Sequence, residues 1–368
     1  MSNRAIRTIR PACFLHLRSC VLLGWILLCV SIGSTAQADT VITETTGAGD
    51  LGTHVLPPAG DVYGITGGTP VGTSLYHSFA QFDVGRGDTA QFQTLTLIPN
   101  TAMQNILGRI TDANPSAIFG TIDSATYYPS ANLFLMNPHG FLFGAGAMVN
   151  VGGMVSFTTA DYLKLADKVR FEAIPGAQDA LLSAFPVTAF GFLGSNPAAI
   201  AVQGTQLTMA DGTGLSLIGG SQGFFYIDPD TGNQASVPDG VTVTGGMLSA
   251  PDGEINLVSV ASPGEILLSG LKPAPNITGD SFTSFGPVTI SGGSLLDVSG
   301  SLGGTVRIRS GQFVLDGSSI FANTAGDVVD EARTAVDLAA FAQTMNLTLV
   351  TLDRSFIKRY PSVRVEVI

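Results

Sequence analysis

Three stretches of the chain resemble one another at nearly constant spacing. VTVTGGMLSAPDGEINLVSV begins at Val241, VTISGGSLLDVSGSLGGTVRIRSG begins at Val288, and the weaker relative IAVQGTQLTMADGTGLSLIGG begins at Ile200. The starting points lie 41 and 47 residues apart. Each copy consists of strand, glycine turn, strand, polar turn and strand, which is typical of a solenoid whose coils bury side chains against their neighbours. We expect two coils of about 20 to 24 residues to fill each spacing.

The alternation of side chains within the copies indicates strands with one buried face. β-branched residues alternate with small or polar ones in residues 288–290 and 305–308, so Val288 and Ile290 are expected to point inward. A β-sandwich also has many short strands, but it does not predict copies of similar length with the same Gly pair. The sequence therefore favours an all-β solenoid, with residues from about 82 to 327 in parallel strands about 4.8 Å apart.

Two segments of the chain are less regular than the copies. The best helical candidate, ADYLKLADKV at residues 160–169, is compatible with a short helix or a loop. An open solenoid end exposes unpaired backbone and apolar core, so it needs a cap. Residues 40–82 are the natural candidate for that cap.

Composition and charge exclude one large class of function. Only 12% of the residues are charged, 45 are Gly, and the formal net charge is -11. Residues 39–330 hold 24 acidic and 8 basic side chains. Because no basic surface is available to displace counterions from phosphates, we expect no nucleic-acid partner.

The first 38 residues have the features of a secretory signal peptide. An apolar run at residues 21–32 follows a basic segment and precedes the small-polar-small sequence Ala36, Gln37, Ala38, which places cleavage before Asp39. A run of 12 residues is shorter than the roughly 20 that span a bilayer, and a lipoprotein site at Cys29 is disfavoured by Leu28 before it. All three cysteines lie in this segment, so the mature chain is expected to contain no disulfide.

The character of the chain changes again near its C-terminal end. Residues 331–368 contain no Gly and hold five of the 17 basic residues. A terminal helical cap at residues 336–345 would explain the change, and so would a truncated or frame-shifted end. The predicted division is a signal peptide at 1–38, a first region with its cap at 39–200, further coils at 201–330 and an atypical tail at 331–368.

Three segments resemble a known family. LYHSFAQFDV at 75–84, NILGRITDANPSAIFGTI at 105–122 and ANLFLMNPHGFLFGAGAMVNVGGMVSFTTADYL at 131–163 are similar to the N-terminal secretion domain of filamentous haemagglutinin-like exoproteins, the haemagglutination activity domain family. The family pattern is Asn-Pro-Asn-Gly-Ile, then Phe-Gly, Gly-Gly and Thr-Ala-Asp. It is matched here by Asn137, Pro138, Gly140, Phe143, Gly144, Gly152, Gly153, Thr159, Ala160 and Asp161. The departures are His139 and Phe141; because Asn and His both tolerate unusual turn geometry, we expect the turn to survive.

The resemblance implies a right-handed parallel β-helix with an N-terminal cap, exported by two-partner secretion. It implies an outer-membrane β-barrel transporter with periplasmic docking domains, reached after Sec export through the signal peptide. The product is a secreted or cell-surface protein, such as an adhesin whose ligand the sequence does not name, or a fragment of one. Pro fixes φ, and Asn and Gly accept turn conformations, so two clusters are the candidate secretion motif, as recognised surface or as structural turns. They are Asn114, Pro115, Asn137, Pro138, His139 and Gly140.

The sequence offers little for catalysis or metal binding. His54, His77 and His139 are isolated, so we expect His77 to be a strand residue, His139 a turn residue, and no metal or cofactor. Asp228 and Asp230 resemble the opening of a calcium loop, but the later ligand positions fail, which favours a solvated turn.

The enzyme alternative is a polysaccharide lyase or glycosidase, since parallel β-helices can carry such sites on one sheet. Those enzymes need paired carboxylates, or calcium ligands with a basic residue. The few basic residues form no such cluster, and Arg307 and Arg309 alternate on one strand, where they also suit an outward solubilising pair. We therefore predict a protein that is not an enzyme.

Overall fold

The structure is a computed structural model that describes residues 40–176, 181–228, 231–269, 282–324, 348–351 and 364–367. These residues form 32 strands and no helix. The predicted signal peptide, the candidate helical cap at 336–345 and most of the predicted tail lie outside the described residues. Among the residues that are described, no helix is long and apolar enough to cross a membrane.

The strands are short and follow one another closely. In chain order they are β1 (Val41–Glu44), β2 (Thr53–Val55), β3 (Val62–Gly67), β4 (Thr69–Val71), β5 (Ser74–Asp83), β6 (Thr89–Phe92), β7 (Asn105–Ile110), β8 (Ser116–Ile118), β9 (Thr121–Asp123), β10 (Asn132–Met136), β11 (Phe141–Phe143), β12 (Met148–Asn150), β13 (Val155–Thr158), β14 (Tyr162–Leu165), β15 (Arg170–Glu172), β16 (Val187–Phe192), β17 (Ile200–Gln203), β18 (Gln206–Thr208), β19 (Gly214–Gly220), β20 (Phe224–Ile227), β21 (Gln234–Val237), β22 (Val241–Thr244), β23 (Met247–Ser249), β24 (Glu254–Val260), β25 (Gly264–Leu267), β26 (Pro287–Ser291), β27 (Leu295–Asp297), β28 (Thr305–Arg309), β29 (Gln312–Leu315), β30 (Ser319–Phe321), β31 (Thr348–Thr351) and β32 (Arg364–Val367).

Three parallel sheets form the walls of a β-helix. Sheet 1 stacks β5, β7, β10, β13, β19, β24 and β28, and sheet 2 stacks β8, β11, β17, β22, β26, β29, β31 and β32. Sheet 3 stacks β3, β6, β9 and β12, and then continues in β18, β23, β27 and β30. Successive strands of the chain, such as β7, β8 and β9, go to sheets 1, 2 and 3 in turn, so one coil supplies one strand to each wall. The predicted all-β parallel β-helix is confirmed.

The copies found in the sequence are neighbours in sheet 2. Ile200 pairs with Val241, and Val241 pairs with Val288. Residues at corresponding positions of the three copies are therefore hydrogen-bonded neighbours in adjacent strands. The prediction of two coils in each spacing is wrong, because each spacing holds one coil plus an inserted segment. The next coil carries no insertion, and there Pro287 pairs with Gln312, only 25 residues later.

In the coils that the structure describes, three insertions leave the helix at the same place, between a strand of sheet 1 and the next strand of sheet 2. They occupy residues 159–199, 221–240 and 261–286, and we call this edge the insertion corner. The first and third insertions together build an antiparallel sheet in the order β15, β14, β16, β25, which packs its apolar face on the outside of sheet 1. The second is the antiparallel hairpin β20–β21.

Two sequence predictions are corrected by these insertions. The segment at 160–169 is neither a helix nor a simple loop, because it contains strand β14, whose register is fixed by pairing on both sides. Parallel strands do not run without interruption from 82 to 327 either, since the insertions are antiparallel. Parallel pairing also starts before residue 82, where β5 pairs with β7 and β3 with β6.

The predicted N-terminal cap is present and differs from the coils in strand direction. β1 pairs with β5, β2 with β3 and β4 with β5, all antiparallel, so the first coil does not present an open parallel edge. The buried Arg109 ties this cap to the antiparallel sheet. Its guanidinium donates to the carbonyl oxygens of Gly49 and Glu172 and to Ser78 Oγ at 2.9 to 3.0 Å.

The inward positions are those that the alternation predicts. Val288 and Ile290 are fully buried, while Arg307 and Arg309 flank the buried Ile308 and face outward. Arg307 forms an ion pair with Glu254 of the preceding coil at 2.7 Å, and the Arg309 guanidinium lies 5.1 Å from the centre of the Phe285 ring. Partial burial lowers the Arg309 pKa to about 10. The two arginines therefore join neighbouring segments as well as facing water.

Candidate partner-recognition site

The structure brings the two predicted clusters together at the insertion corner. One cluster lies between β7 and β8 and the other between β10 and β11, so they occupy the same position in successive coils. We call this group the Asn-Pro corner. Its members are Asn114, Pro115, Asn137, Pro138, His139 and Gly140.

Asn137 is the internal joint of this corner. Its side chain is fully buried, and its Nδ2 donates to the Asn114 carbonyl oxygen and to Ser116 Oγ, both at 3.0 Å. Its Oδ1 accepts a hydrogen bond from the His139 backbone N–H at 2.9 Å. The amide therefore closes its own turn and holds the turn of the preceding coil, which uses its hydrogen-bonding capacity inside the fold.

Gly140 supplies the unusual backbone geometry of the turn. Its φ is +115°, a value that disfavours any residue with a Cβ, whereas His139 has no positive φ. The turn therefore survives the change from the family's Asn to His139, as expected, although the demanding position is Gly140. The ring of Phe224, from the β20–β21 hairpin, fills the space that a Cβ on Gly140 would need.

The remaining members of the corner face solvent. Asn114 is exposed, and Pro115, Pro138 and His139 are half-buried. The buried His139 Nδ1 has no hydrogen-bond partner among the described residues. A folded partner can therefore contact these four side chains, but not the amide of Asn137.

A third Asn-Pro pair, which the sequence analysis missed, lies in the next coil of sheet 2. Asn196 and Pro197 precede β17 as the other pairs precede β8 and β11. Asn196 is exposed with a φ of +63°. The signal was present in the sequence, because the same dipeptide occurs three or four residues before the Ile or Phe of a sheet 2 strand. A long insertion separates this pair from the second one and hides the regularity.

Other residues of the family pattern hold the insertions in place. Thr159 Oγ1 donates to the Ala198 carbonyl oxygen at 2.8 Å, and Asp161 Oδ2 accepts from the Leu193 backbone N–H at 2.6 Å. The Phe119 ring lies over the Cα of Gly144, where a side chain would collide with it. These positions therefore shape the fold next to the Asn-Pro corner.

A cluster of charged residues surrounds a buried carboxylate in the antiparallel sheet, and the sequence did not indicate it. Glu265 on β25 is fully buried and accepts hydrogen bonds from Tyr162 Oη at 2.6 Å and Lys164 Nζ at 2.8 Å. The Arg170 guanidinium stacks 4.0 Å from the Tyr162 ring centre. Burial, followed by the nearby Glu265 carboxylate, raises the Tyr162 pKa. The carboxylate is thus committed to neighbours about 100 residues away in sequence and is closed to solvent.

Two of the residues considered for metal binding, His77 and Asp228, lie in a strand and a turn, where they contact other protein groups. His77 is a buried residue of strand β5, as predicted; its Nδ1 lies 3.2 Å from Thr53 Oγ1, and burial lowers its pKa to about 3. Asp228 Oδ1 accepts from the Thr231 backbone N–H in the turn of the β20–β21 hairpin, and Asp230 lies outside the described residues. Within the described ranges, no three His, Cys, Asp or Glu side chains are placed to share a metal ion.

Comparison with known proteins adds the family. The model of the TPS secretion domain family matches residues 41–315. The chain belongs to this family. Its TPS secretion domain is similar to the structure of the HMW1 secretion domain from Haemophilus influenzae, with 16% sequence identity, a TM-score of 0.30, and coverage of 78% of this chain and 84% of that one. No curated protein sequence matches the chain.

Family membership confirms the family resemblance found in the sequence. A TPS secretion domain marks an exoprotein of two-partner secretion, which is exported through the outer membrane with a transporter as its partner. The N-terminal cap, the insertions, the Asn-Pro corner and the coils up to β29 all lie within the matched residues.

Proposed function

We propose that the transporter's periplasmic docking domains recognise the exposed side chains of the Asn-Pro corner, and that Asn137 and Gly140 act by shaping that surface. The burial of Asn137, with both ends of its amide hydrogen-bonded, carries this division of roles. A side chain closed to solvent contributes shape rather than direct contact to a folded surface. Asn114 is exposed and contributes only its backbone carbonyl to the described hydrogen bonds of the corner.

Secretion of matched variants tests the proposal in cells with and without the cognate transporter. Asn114→Ala should accumulate in the periplasm while the purified chain keeps its thermal stability and its β-rich circular dichroism. Gln206→Ala removes an exposed amide from sheet 3 and is the matched control, which should be exported normally. Normal export of Asn114→Ala would reject direct recognition of that side chain, and export without any transporter would reject two-partner secretion for this chain.

Asn137→Ala separates shape from contact. Removing the amide leaves the His139 backbone N–H and Ser116 Oγ without partners, which should cost about 1 to 3 kcal/mol of folding stability. We expect reduced export together with reduced stability, because both follow from a distorted corner. Reduced export at unchanged folding stability would instead mean that the transporter contacts the Asn137 side chain directly, before the corner has folded.

We propose the remaining biological assignments on the strength of the family. Residues 1–38 would direct Sec export, 39–200 would form the secretion domain with its cap, 201–330 would add further coils, and 331–368 would form an atypical tail. The exported product would act as an adhesin or haemagglutinin-like surface protein. The alternative of a carbohydrate-active enzyme gains no support from Glu265, because its buried carboxylate cannot reach a substrate. Binding of the purified mature chain to host-cell or bacterial surfaces tests the adhesin role, and failure to bind any of them would count against it.

A further inference from the structure

The hairpin β20–β21 has two different faces. Phe224, Tyr226 and Val237 point toward the helix and join a small apolar cluster on the outside of sheet 2 that includes Phe119 and Leu142. The other face carries Phe225 and Ile227, which are 67% and 64% exposed. The inward face therefore buries the outer surface of β8, β11 and β17.

The inward face also reaches the Asn-Pro corner itself. The Phe224 ring packs on the Cα of Gly140, the one residue of that turn with a left-handed φ. Gly140 and Leu142 are buried in consequence. Access to the second Asn-Pro turn from the side of sheet 2 therefore depends on where this hairpin lies.

The root of the hairpin is attached at the third Asn-Pro pair. The Gln222 backbone N–H donates to the Pro197 carbonyl oxygen at 2.9 Å, and the Ala199 N–H donates to the Gln222 carbonyl oxygen at 2.8 Å. Gly223 and Gly240 flank the two strands, and Gly240 has a φ of +92°. Glycines at both ends allow the hairpin to change direction relative to the helix, while its root stays paired.

The order of residues gives this arrangement a direction in time. Phe224 follows Gly140 by 84 residues, so a chain that folds from its N-terminal end forms the corner before the hairpin is available. Until then, the turn at Gly140 and the apolar outer face of sheet 2 lack this covering.

We infer that the β20–β21 hairpin is a cover for the Gly140 side of the Asn-Pro corner and the adjoining outer face of sheet 2. The transporter binds this covered surface together with the exposed side chains while the hairpin is off, and it leaves when the hairpin docks. The inference rests on the proposed recognition role of the corner. The folded protein then holds the corner in a state of low affinity, because its binding-competent form is a minor population.

Two matched double variants of the full chain separate the faces of the hairpin. Phe224→Ser with Tyr226→Ser weakens the inward face, and Phe225→Ser with Ile227→Ser is the corresponding double change on the outward face of the same strand. The probe is the purified periplasmic part of the cognate transporter, and hydrogen exchange at the backbone amides of residues 139–142 reports whether the corner is open. The inward variant should exchange faster at the corner and bind about tenfold tighter, the factor expected if a competent state near one tenth of the population becomes dominant. The outward variant should match the wild type in both measurements.

Each other outcome overturns the cover. Faster exchange without tighter binding would mean that the hairpin does not limit recognition, and unchanged exchange would mean that it does not shield the corner. Weaker binding of the outward variant would make the hairpin itself a docking element. If the inward variant does not fold, a chain in which a Gly-Ser linker replaces residues 224–237 takes its place, with the same expectations.

A chain freshly diluted from urea distinguishes failure of the cover inference from failure of the proposed recognition role. If that chain binds the probe and Asn114→Ala abolishes the binding, the recognition role holds, and the hairpin variants then decide the cover alone. If it does not bind, or binds equally with Asn114→Ala, the recognition role of the corner fails.

Discussion

The coils and the insertions at the insertion corner solve the problem of burial in different ways. In a coil, each strand pairs with its counterpart about one turn earlier, and residues such as Val288 stack on copies of themselves. In the antiparallel sheet, Glu265 is buried against Lys164 and Tyr162, which have no counterparts in neighbouring coils. Stacking a repeated apolar position is local and tolerant, whereas a buried carboxylate requires particular partners from distant sequence. A charge introduced into the core should therefore destabilise the coils most, whereas removal of an existing charge should destabilise the antiparallel sheet most.

The largest effect is expected for a charge placed inside a coil. Ile290→Asp puts a carboxylate at a fully buried position of sheet 2, where no cation lies on the neighbouring rungs Val243 and Leu315. We expect a loss of at least about 4 kcal/mol in the free energy of unfolding, or failure to fold, because the charge has no partner. Chemical unfolding followed by circular dichroism measures it.

The neighbouring strand position is the control for this prediction. Thr289 lies on the same strand with its side chain outward and half-buried. Thr289→Asp should therefore cost well under 1 kcal/mol, as most surface changes do. Equal losses from the two variants would show that the assigned faces of β26 are wrong.

The insertions should respond to removal of a charge. Lys164→Met leaves Glu265 buried with a single close donor, Tyr162 Oη, and with Arg170 4.0 Å away. We expect a loss of about 3 kcal/mol, at the low end of the cost of breaking a buried pair, because Lys164 is 30% exposed. Glu265→Gln keeps a partner for Tyr162 and removes the buried charge, so it should cost only about 1 kcal/mol.

Unfolding by denaturant ranks the stabilities of these two variants. Lys168 is exposed in the turn that follows β14, so Lys168→Met serves as the neutral control. The reverse order, with Glu265→Gln the more costly change, would mean that the carboxylate stabilises the sheet through its charge. The distinction drawn between the two regions would then break down.

The same difference explains how much of the fold could be predicted from the sequence. The pairing of Ile200, Val241 and Val288 is visible in the sequence because each coil repeats the same alternation. The strand β14 was missed because its partners β15 and β16 lie in the same insertion, which no other coil repeats, and because its alternation YLKL is too short to exclude a helix. The number of coils was overestimated for the same reason, since insertions have no copies by which to measure them.

The candidate site was predictable in position but not in chemistry. Asn137 and Gly140 were found through the family pattern, and the turn residues follow from their backbone preferences. Which of them faces solvent depends on Ser116 from the preceding coil and on Phe224 from a later insertion, and local sequence contains neither contact. Burial therefore had to come from the structure.

The smallest effect concerns the coil interior beneath the cap, where a polar side chain is stacked among apolar ones. His77 lies between the Phe79 and Phe92 rings, with centres 5.9 and 5.4 Å away, and its pKa is lowered from 6.5 to about 3. The native state keeps the ring neutral while the unfolded chain binds a proton below pH 6.5, so acid stabilises the unfolded state. The contribution of His77 to folding stability is fully present above its pKa in the unfolded chain, and it is lost as the pH falls toward its pKa in the folded protein. Relative to His77→Gln, which does not titrate, the wild type should lose about 2 kcal/mol between pH values of about 7.5 and 5. Parallel pH profiles of the two proteins would show instead that water reaches this ring, and that the coil interior under the cap is as open to charge as the rim of the antiparallel sheet.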